Sequence, residues 1–331
     1  MPHEPDPAGS GDRDDDLIAR SADFTAELET AADGRRTVLR MTRSLPHPPE
    51  PIWNALTRPV PLSRWFPTGV TVDPRPGGTI RFVFPGDTEP GMTGTVTDAE
   101  EPRLLAFTWG ADHLRWEITP RGGGGSDLTP QDGGGSDLTL THTFDDHAGA
   151  ASHAAGWQIC VTGLAQLLDG EEITAERDTR GALHEAYIAR FRLNQGVIET
   201  TGDGWCVRFD RQLIRPAERV WSELTAGTTP LLGGPAPRGF TTPVTPSGPV
   251  TALRPPLLLA YRPAPGSEVR GVRGVRGVRE VREVRWELAE GTGHGARLTL
   301  TERGEAGEDP REVLGAWRVR IDRLATGLLA G

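Results

Sequence analysis

The sequence predicts an α+β protein with two similar domains in tandem, each an antiparallel sheet packed on a long C-terminal helix. Three observations lead to this prediction: an internal repeat, short alternating apolar runs bounded by glycine and proline, and a helical apolar stripe late in the first copy. At 331 residues the chain is long enough for two domains with separate cores.

The internal repeat follows one order through both halves of the chain. The matching segments, first copy before second, are "LPHPPEPIWNALT" (45–57) and "LIRPAERVWSELT" (213–225), "LLAF" (104–107) and "LLAY" (258–261), "LRWEI" (114–118) and "VRWEL" (284–288), "DLTLTH" (137–142) and "RLTLTE" (297–302), "GWQICVTGLAQLL" (156–168) and "AWRVRIDRLATGL" (316–328). So many matches in one order indicate a tandem duplication whose second copy has diverged.

Glycine and proline divide the first copy into short elements. Strands are predicted at "TAELET", "TVLRMTRSL", "GTIRFVF", "MTGTVTDA", "RLLAFTW", "LRWEITP" and "SDLTLTHTF". The segment "PPEPIWNALT" predicts a short helix, because prolines and a glutamate stand at its start, and a loop through "SRWFP" follows. Residues 151–170 then change to helical periodicity, with Trp157, Val161, Leu164 and Leu168 on one stripe and Gly170 at the end.

Alternation along the strands assigns one set of side chains to a common face of the sheet. These are Ile80, Phe82, Phe84, Leu105, Phe107, Trp109, Leu114, Trp116, Ile118, Leu138, Leu140 and His142. A curved antiparallel sheet packed on the 151–170 helix is the simplest arrangement that buries both apolar surfaces.

The second copy contains a segment in which Val-Arg recurs every third residue. It is sixteen residues longer than the first copy between the counterparts of Phe107 and Trp116, and residues 269–284, here called the Val-Arg repeat, supply that excess. A period of three fits neither a strand nor a helix, so a mobile loop is predicted, with Val284, Trp286 and Leu288 starting the next strand. Six arginines face two glutamates between 269 and 285, yet no aromatic residue there could stack on a base, which disfavours nucleic-acid binding.

Composition excludes several classes of function. The formal net charge is -10, which argues against a general affinity for nucleic acid or anionic membrane. All 36 cationic side chains are arginine, so Schiff-base lysine chemistry and a P-loop lysine are excluded. Residues 1–23 are predicted to be a disordered acidic tail without signal-peptide features, and no run is apolar enough to span a bilayer, so a cytoplasmic location is expected.

The ordered motifs carry a family resemblance. "VLRMTRSLPHPPEPIWNALT", "LSRWF", "PGGTIRFVF", "PRLLAFTW", "LTLTHTF" and "HAAGWQICVTGLAQLL" together resemble the START-like (SRPBCC) superfamily. Within it the chain looks most like the bacterial group related to the C-terminal domain of the activator of the heat-shock protein 90 ATPase. The resemblance implies a helix-grip fold, a sheet wrapped around a long helix with an apolar cavity between them. It implies a START-like domain at 24–192 and a degenerate one at 193–331, which lacks the "WF" after its first helix.

The candidate ligand pocket lies in the first copy, where the predicted inward faces of the sheet and helix would meet. Its predicted residues are Trp65, Phe66, Phe82, Phe84, Phe107, Trp109, Trp116, His142, Trp157, Val161 and Leu164. No cofactor or metal site is predicted, because His142, His147 and His153 follow no strong ligand spacing. Cys160 is interpreted as a buried small residue rather than a nucleophile.

Three functions stay open. The favoured one is non-enzymatic binding of a small apolar or aromatic molecule in the first domain, with the second domain as a scaffold or interaction surface. The resemblance also permits a polyketide aromatase or cyclase, for which His142 and Arg81 are weak acid/base candidates. A co-chaperone-like role with a protein partner is the third possibility.

Overall fold

The structure, a computed structural model of this chain, describes residues 24–84, 86, 91–121, 134–174, 180–202, 204–264, 282–293, 295–305 and 309–330. The predicted acidic tail and the predicted mobile loop up to residue 281 lie outside the described residues. The chain divides into two compact units, Met1–Tyr187 and Ile188–Gly331. Each unit has its own antiparallel sheet, so the predicted α+β class is confirmed.

The described residues of the first unit form eight strands and four α-helices. In chain order they are β1 (Phe24–Thr30), β2 (Thr37–Leu45), α1 (Pro49–Thr57), α2 (Pro59–Trp65), β3 (Gly69–Val72), β4 (Thr79–Val83), β5 (Met92–Glu100), β6 (Leu104–Trp109), β7 (Asp112–Pro120), β8 (Ser136–Phe144), α3 (Ala150–Leu168) and α4 (Arg180–Arg190), the last of which runs past the division at Tyr187. The sheet order is β1-β2-β8-β7-β6-β5-β4-β3, and every pairing is antiparallel.

The inward face of this sheet follows the predicted alternation closely. Along β8 every second residue is buried, from Ser136 to Phe144, because β8 lies between β2 and β7 and packs one face against the core. Phe84 and Trp109 are the two inward candidates that stay only half-buried. Both lie where their strands end, beyond the width that neighbouring elements cover.

Two elements between α1 and β4 differ from the prediction. The segment through "SRWFP" is predicted to be a loop, but its first half belongs to α2, whose N-terminal proline preorganises a helical turn. The four-residue strand β3 is not predicted at all. Trp65 ends α2 and donates its indole N–H to the carbonyl oxygen of Ala55 at 3.0 Å, which holds α2 against α1.

The long helix α3 agrees with the predicted 151–170 segment and ends at Leu168 before Gly170, which has a positive φ of 73°. Its buried side includes Trp157, Val161 and Leu164, as the helical stripe requires. This stripe packs toward the inward face of the sheet, so helix and sheet together enclose the aromatic residues of the candidate site.

The second unit repeats part of this plan. Its elements are β9 (Val197–Thr201), β10 (Gly204–Gln212), α5 (Ala217–Thr225), β11 (Val250–Arg254), β12 (Leu258–Tyr261), β13 (Glu283–Glu290), β14 (Ala296–Glu305) and α6 (Pro310–Leu329). Its sheet order, β11-β12-β13-β14-β10-β9, matches β5-β6-β7-β8-β2-β1 of the first unit. The prediction that Val284, Trp286 and Leu288 belong to the start of a strand is confirmed by β13, in which all three side chains are buried.

The second unit has a closed aromatic and aliphatic core of its own. Trp286 and Trp317 pack edge to face with ring centroids 5.5 Å apart, and Phe240 contacts Trp286 at the same distance. Among the described helices, none is both long and apolar enough to cross a membrane.

Candidate functional site

Most of the predicted pocket residues come together in the first unit. They are brought in by the end of α2 (Trp65, with Phe66 next in the chain), β4 (Phe82), β6 (Phe107, Trp109), β7 (Trp116), β8 (His142) and α3 (Trp157, Val161, Leu164). Phe84 alone lies past the end of its strand and is half-buried. The meeting point is therefore the space between the inward sheet face, α2 and α3.

The aromatic rings of this set contact one another directly. Phe66 lies at the centre, with its ring centroid 5.5 Å from Trp65, 6.3 Å from Phe82, 5.5 Å from Trp109 and 5.7 Å from Trp157. Such centroid distances are those of favourable aromatic pairs. We call these five residues the aromatic cluster.

Trp109 is the ring of the aromatic cluster that reaches solvent. It is half-buried, and it stacks on Phe82 with a centroid distance of 5.1 Å and an interplanar angle of 8°. It also contacts Trp157 edge to face at 6.0 Å. A molecule approaching the aromatic cluster from the end of the β6–β7 hairpin would meet Trp109 first.

An apolar cavity of about 10 Å³ adjoins the aromatic cluster. That volume is about what one water molecule occupies. Its lining comes from α1 and α2 on one side and from the sheet on the other: Leu56, Leu62, Trp65, Phe66, Val70, Ile80, Leu105, Phe107 and Trp116. Ligand pockets are usually at least about 300 Å³, so a ligand requires this space to widen.

A polar group lies against Trp157 of the aromatic cluster. The Nε2 atom of His142 is 2.9 Å from the Oδ2 atom of Asp112, and Trp157 donates its indole N–H to the Nδ1 atom of His142 at 3.1 Å. Because the indole nitrogen only donates, Nδ1 must accept, and the single ring proton of a neutral imidazole then sits on Nε2. His142 is thereby fixed as the neutral tautomer that donates to the Asp112 carboxylate.

This tautomer disfavours a metal site, although the ligand atoms of Asp112, His142 and His153 lie within 4.8 Å of one another. A metal on Nε2 of His142 would move the proton to Nδ1, where it would face the indole N–H of Trp157. Two donors would then oppose each other in a buried position. His147, the third histidine of this stretch, faces elsewhere, since its Nδ1 atom lies 3.2 Å from the Thr37 hydroxyl.

Burial also keeps the neighbouring His153 neutral. Its ring lies 4.6 Å from that of His142 and 4.5 Å from that of Phe144, centroid to centroid. Burial lowers the pKa of His153 to about 4. The pKa of His113, on the same hairpin, is lowered as well, first by burial and then by the charge of Arg115.

Acidification is expected to destabilise the first unit through His153. The pKa of this histidine is 6.5 when unfolded and about 4 when folded, so the unfolded chain takes up its proton first. The stability associated with His153 is complete above pH 6.5 and is lost as the pH falls toward 4, by up to about 3 kcal/mol. Urea unfolding of the wild type and of His153→Leu at several pH values measures this loss.

The variant should lose less stability than the wild type between about pH 7 and 4.5. His47→Gln serves as the control, because His47 pairs with Asp169 near the surface and should leave the wild-type dependence intact. Equal slopes for His153→Leu and the wild type would contradict the assignment.

The second unit has a buried ion pair in the corresponding place. Glu302 is fully buried and accepts hydrogen bonds from the indole N–H of Trp317, from the Thr245 hydroxyl at 2.9 Å and from Nε of Arg282 at 2.6 Å. Burial raises the pKa of Glu302, and Arg282 opposes that shift. The carboxylate is thus satisfied by a cation and two neutral donors.

Strand pairing makes the two polar groups equivalent. His142 pairs with Leu114 across β7–β8, and Glu302 pairs with Val284 across β13–β14. Asp112 lies two residues before Leu114, and Arg282 two residues before Val284. The acid–histidine pair of the first unit is therefore replaced by a base–acid pair in the second, and in each unit a tryptophan of the long helix donates to it.

Asp112 and Arg282 are not among the predicted site residues. A signal for them exists in the sequence, because each stands four residues before the tryptophan of the matching segments "LRWEI" and "VRWEL". Extending that match toward the N-terminus aligns the two.

Comparison with known proteins concerns the first unit. Residues 46–169 match the family model described as Activator of Hsp90 ATPase homolog 1-like protein. This segment of the chain is similar to that family. The segment runs from the start of α1 through the end of α3 and includes the aromatic cluster, Asp112 and His142, but it is less than half of the chain. No curated protein matches the chain.

Several solved structures are similar to the chain at low identity. The conserved protein of unknown function EF2215 from Enterococcus faecalis is 20% identical, with a TM-score of 0.42, over 56% of this chain and 98% of its own. CalU16 from Micromonospora echinospora is 19% identical, with a TM-score of 0.37, over 50% and 93%. The protein encoded by BPP1335 from Bordetella parapertussis is 24% identical, with a TM-score of 0.36, over 46% and 85%.

Proposed function

We propose that the chain is a cytoplasmic binding protein whose first domain, residues 24–192, holds a small apolar or aromatic molecule without transforming it. The second domain, residues 193–331, serves as a scaffold or interaction surface. One observation carries the proposal. The aromatic cluster adjoins an apolar cavity and also contacts the Asp112–His142 pair through Trp157, and its Trp109 ring is partly open to solvent.

The α1–α2 segment is the wall that moves in this proposal. Leu56, Leu62 and Trp65 reach the cavity from these helices, whereas Ile80, Leu105, Phe107 and Trp116 reach it from the sheet. Outward displacement of two short helices enlarges the cavity without breaking the hydrogen bonds of the sheet. The entering molecule then replaces contacts among the rings with contacts to itself, which limits the net loss of packing.

Several features favour binding over catalysis. Both ring nitrogens of His142 are already hydrogen-bonded, so neither is available to move a substrate proton. Arg81 is exposed on the outward face of β4 and cannot act together with His142. Burial raises the pKa of the Cys160 thiol to about 11, which leaves it a protonated and poor nucleophile.

The described residues of the second unit differ from the first unit at the polar position. Its polar position is occupied by the Arg282–Glu302 ion pair, and Tyr261 donates its hydroxyl proton to the Phe240 carbonyl oxygen at 2.9 Å within the core. These contacts connect the loop before β11 with the sheet and the helix. This arrangement suits a rigid scaffold better than a second binding site.

The test compares two matched tryptophan variants of the full chain. Trp109→Ala removes the half-buried ring of the first unit, and Trp221→Ala removes a half-buried ring of the second. Native mass spectrometry of gently purified protein should find a retained small molecule with the wild type and with Trp221→Ala. With Trp109→Ala we expect about fivefold less of it, since one aromatic contact is worth about 1 kcal/mol.

Equal retention by the two variants would contradict binding at the aromatic cluster. A wild-type chain that carries no small molecule but brings a chaperone-class protein with it would replace the proposal with the protein-interaction alternative. Chemical conversion of the retained molecule by the wild type would favour the cyclase alternative instead.

A further inference from the structure

Asp112 combines exposure with a position beside the open ring of the aromatic cluster. Its side chain is 29% exposed, and it is the direct cross-strand partner of Trp109 at the end of the β6–β7 hairpin. Side chains of directly opposed residues share one face of the sheet, with Cβ atoms about 5 Å apart. The carboxylate and the indole ring therefore border the same approach to the cluster.

The negative charge of Asp112 has no cationic partner in the described part of the chain. Its ion-pair contact is His142, and the indole N–H of Trp157 holds that histidine in its neutral form. His153 is neutral as well, because burial lowers its pKa to about 4.

The guanidinium of Arg36, next to this hairpin, is paired with groups other than Asp112. Arg36 donates to the carbonyl oxygen of Ala111, next to Asp112, at 2.7 Å. Its Nε atom pairs with Asp145 at 2.9 Å, and its other contact is the Thr143 carbonyl oxygen. His113 turns its Nε2 atom to the Thr97 hydroxyl, 2.9 Å away. None of these groups neutralises Asp112.

The second unit shows how a carboxylate is compensated in the equivalent pair. There Glu302 is balanced by Arg282, which stands at the position of Asp112. In the first unit a carboxylate stands at the Arg282 position and a neutral histidine at the Glu302 position, so the pair carries a net negative charge. A carboxylate bordered by an aromatic ring is the arrangement that attracts an organic cation, through charge-assisted hydrogen bonding and through the face of the ring.

We propose that the molecule bound by the first unit carries a cationic nitrogen on an apolar group, as in an aryl-alkyl ammonium, and that Asp112 binds this nitrogen beside Trp109. The inference rests on the function proposed above and adds the chemical class of the ligand. The apolar part inserts between the rings of Phe66, Phe82 and Trp109, which contact one another in the structure, and the cation remains at the partly exposed edge, where its loss of hydration is small.

Three probes of one size and different charge test this inference on the full chain. They are 2-phenylethylammonium, neutral 2-phenylethanol and anionic 3-phenylpropanoate, titrated by calorimetry near pH 7. We expect the ammonium to bind at least about tenfold more tightly than the alcohol, and the carboxylate to bind more weakly than both. Asp112→Asn keeps an oxygen acceptor for His142 and should bring ammonium and alcohol within about twofold of each other.

Glu27→Gln is the matched control, because it removes one carboxylate from the exposed face of the edge strand β1. It should retain the preference of the wild type. Equal affinity of the wild type for all three probes, or preference for the anion, would overturn the cation inference and leave the proposed binding function standing. Failure of every probe to bind at millimolar concentration would overturn both. The relative affinities of the three probes for the wild type test the cation inference even if Asp112→Asn folds poorly.

Discussion

Replacing Arg282 with alanine is expected to lower the free energy of unfolding of the second unit by about 3–5 kcal/mol. The substitution leaves the fully buried carboxylate of Glu302 with neutral donors only, from Trp317 and Thr245. Breaking a buried pair by removing one partner has this large cost because the remaining charge has lost its water and its counter-charge. Amide hydrogen exchange in β13 and β14 reports the stability of this unit separately from the first.

Arg285→Ala is the matched control for this prediction. Arg285 belongs to the same strand but points outward, where its 39% exposed side chain pairs with Glu287 at 3.0 Å. Its loss should cost less than about 1 kcal/mol, as is usual for a surface pair. The penalty of Arg282→Ala should also shrink as the pH falls, because a protonated Glu302 needs no cation. Similar effects of the two arginine substitutions at neutral pH would refute the assigned role of Arg282.

The second prediction transfers the ion pair of the second unit into the first. His142→Glu alone puts a carboxylate within hydrogen-bonding distance of Asp112, which now lies 2.9 Å from the histidine, and should destabilise the first unit by about 3–5 kcal/mol. Adding Asp112→Arg recreates the Arg282–Glu302 arrangement, with Trp157 in the place of Trp317 as donor.

We expect the double variant to recover much of the loss, with a coupling free energy of about 2–3 kcal/mol in a double-mutant cycle. Urea unfolding of the wild type, both single variants and the double variant gives this coupling directly. Additive effects of the two substitutions would mean that the positions are not interchangeable as a pair, and that the two units stabilise their polar groups in different ways.

The spacing of apolar residues predicts those strands and helices that are long and that bury only one of their faces. β7 and β8 have nine residues each and alternate cleanly, so the pattern assigns their inward faces correctly. β3 is not predicted because it has only four residues, and so few residues do not show a recognisable alternation of buried and exposed side chains. The seven-residue helix α2 is not predicted for the same reason, and its two prolines are typical of a loop.

The candidate site is predictable in its apolar part only. Ring-bearing residues at alternating positions are enough to identify Phe82, Phe107 and Trp116 as inward-facing. Asp112 is harder, because it follows a tight turn, where aspartate is common for local reasons. Its contact with His142 bridges 30 residues and depends on strand pairing. The proton position on His142 depends in turn on a helix that arrives later in the chain.

Arg282 is difficult to predict from the sequence because it lies within a repeat. In the sequence it is one of six arginines in identical Val-Arg dipeptides, and nothing local separates it from the others. Its partner follows 20 residues later, on the neighbouring strand. Only the alignment of Trp286 with Trp116 distinguishes this arginine from its copies.

The position of Arg282 at the end of the Val-Arg repeat has a consequence for how this gene can change. Gain or loss of whole three-residue units upstream of Val281 leaves Arg282 four residues before Trp286, so the partner of Glu302 is retained at every repeat length. A gain or loss of one residue next to Trp286 would instead bring Val281 or Glu283 to that position and leave the acid unpaired. The number of repeat units can therefore vary without loss of the Arg282–Glu302 pair, whereas a change in their phase relative to Trp286 removes it.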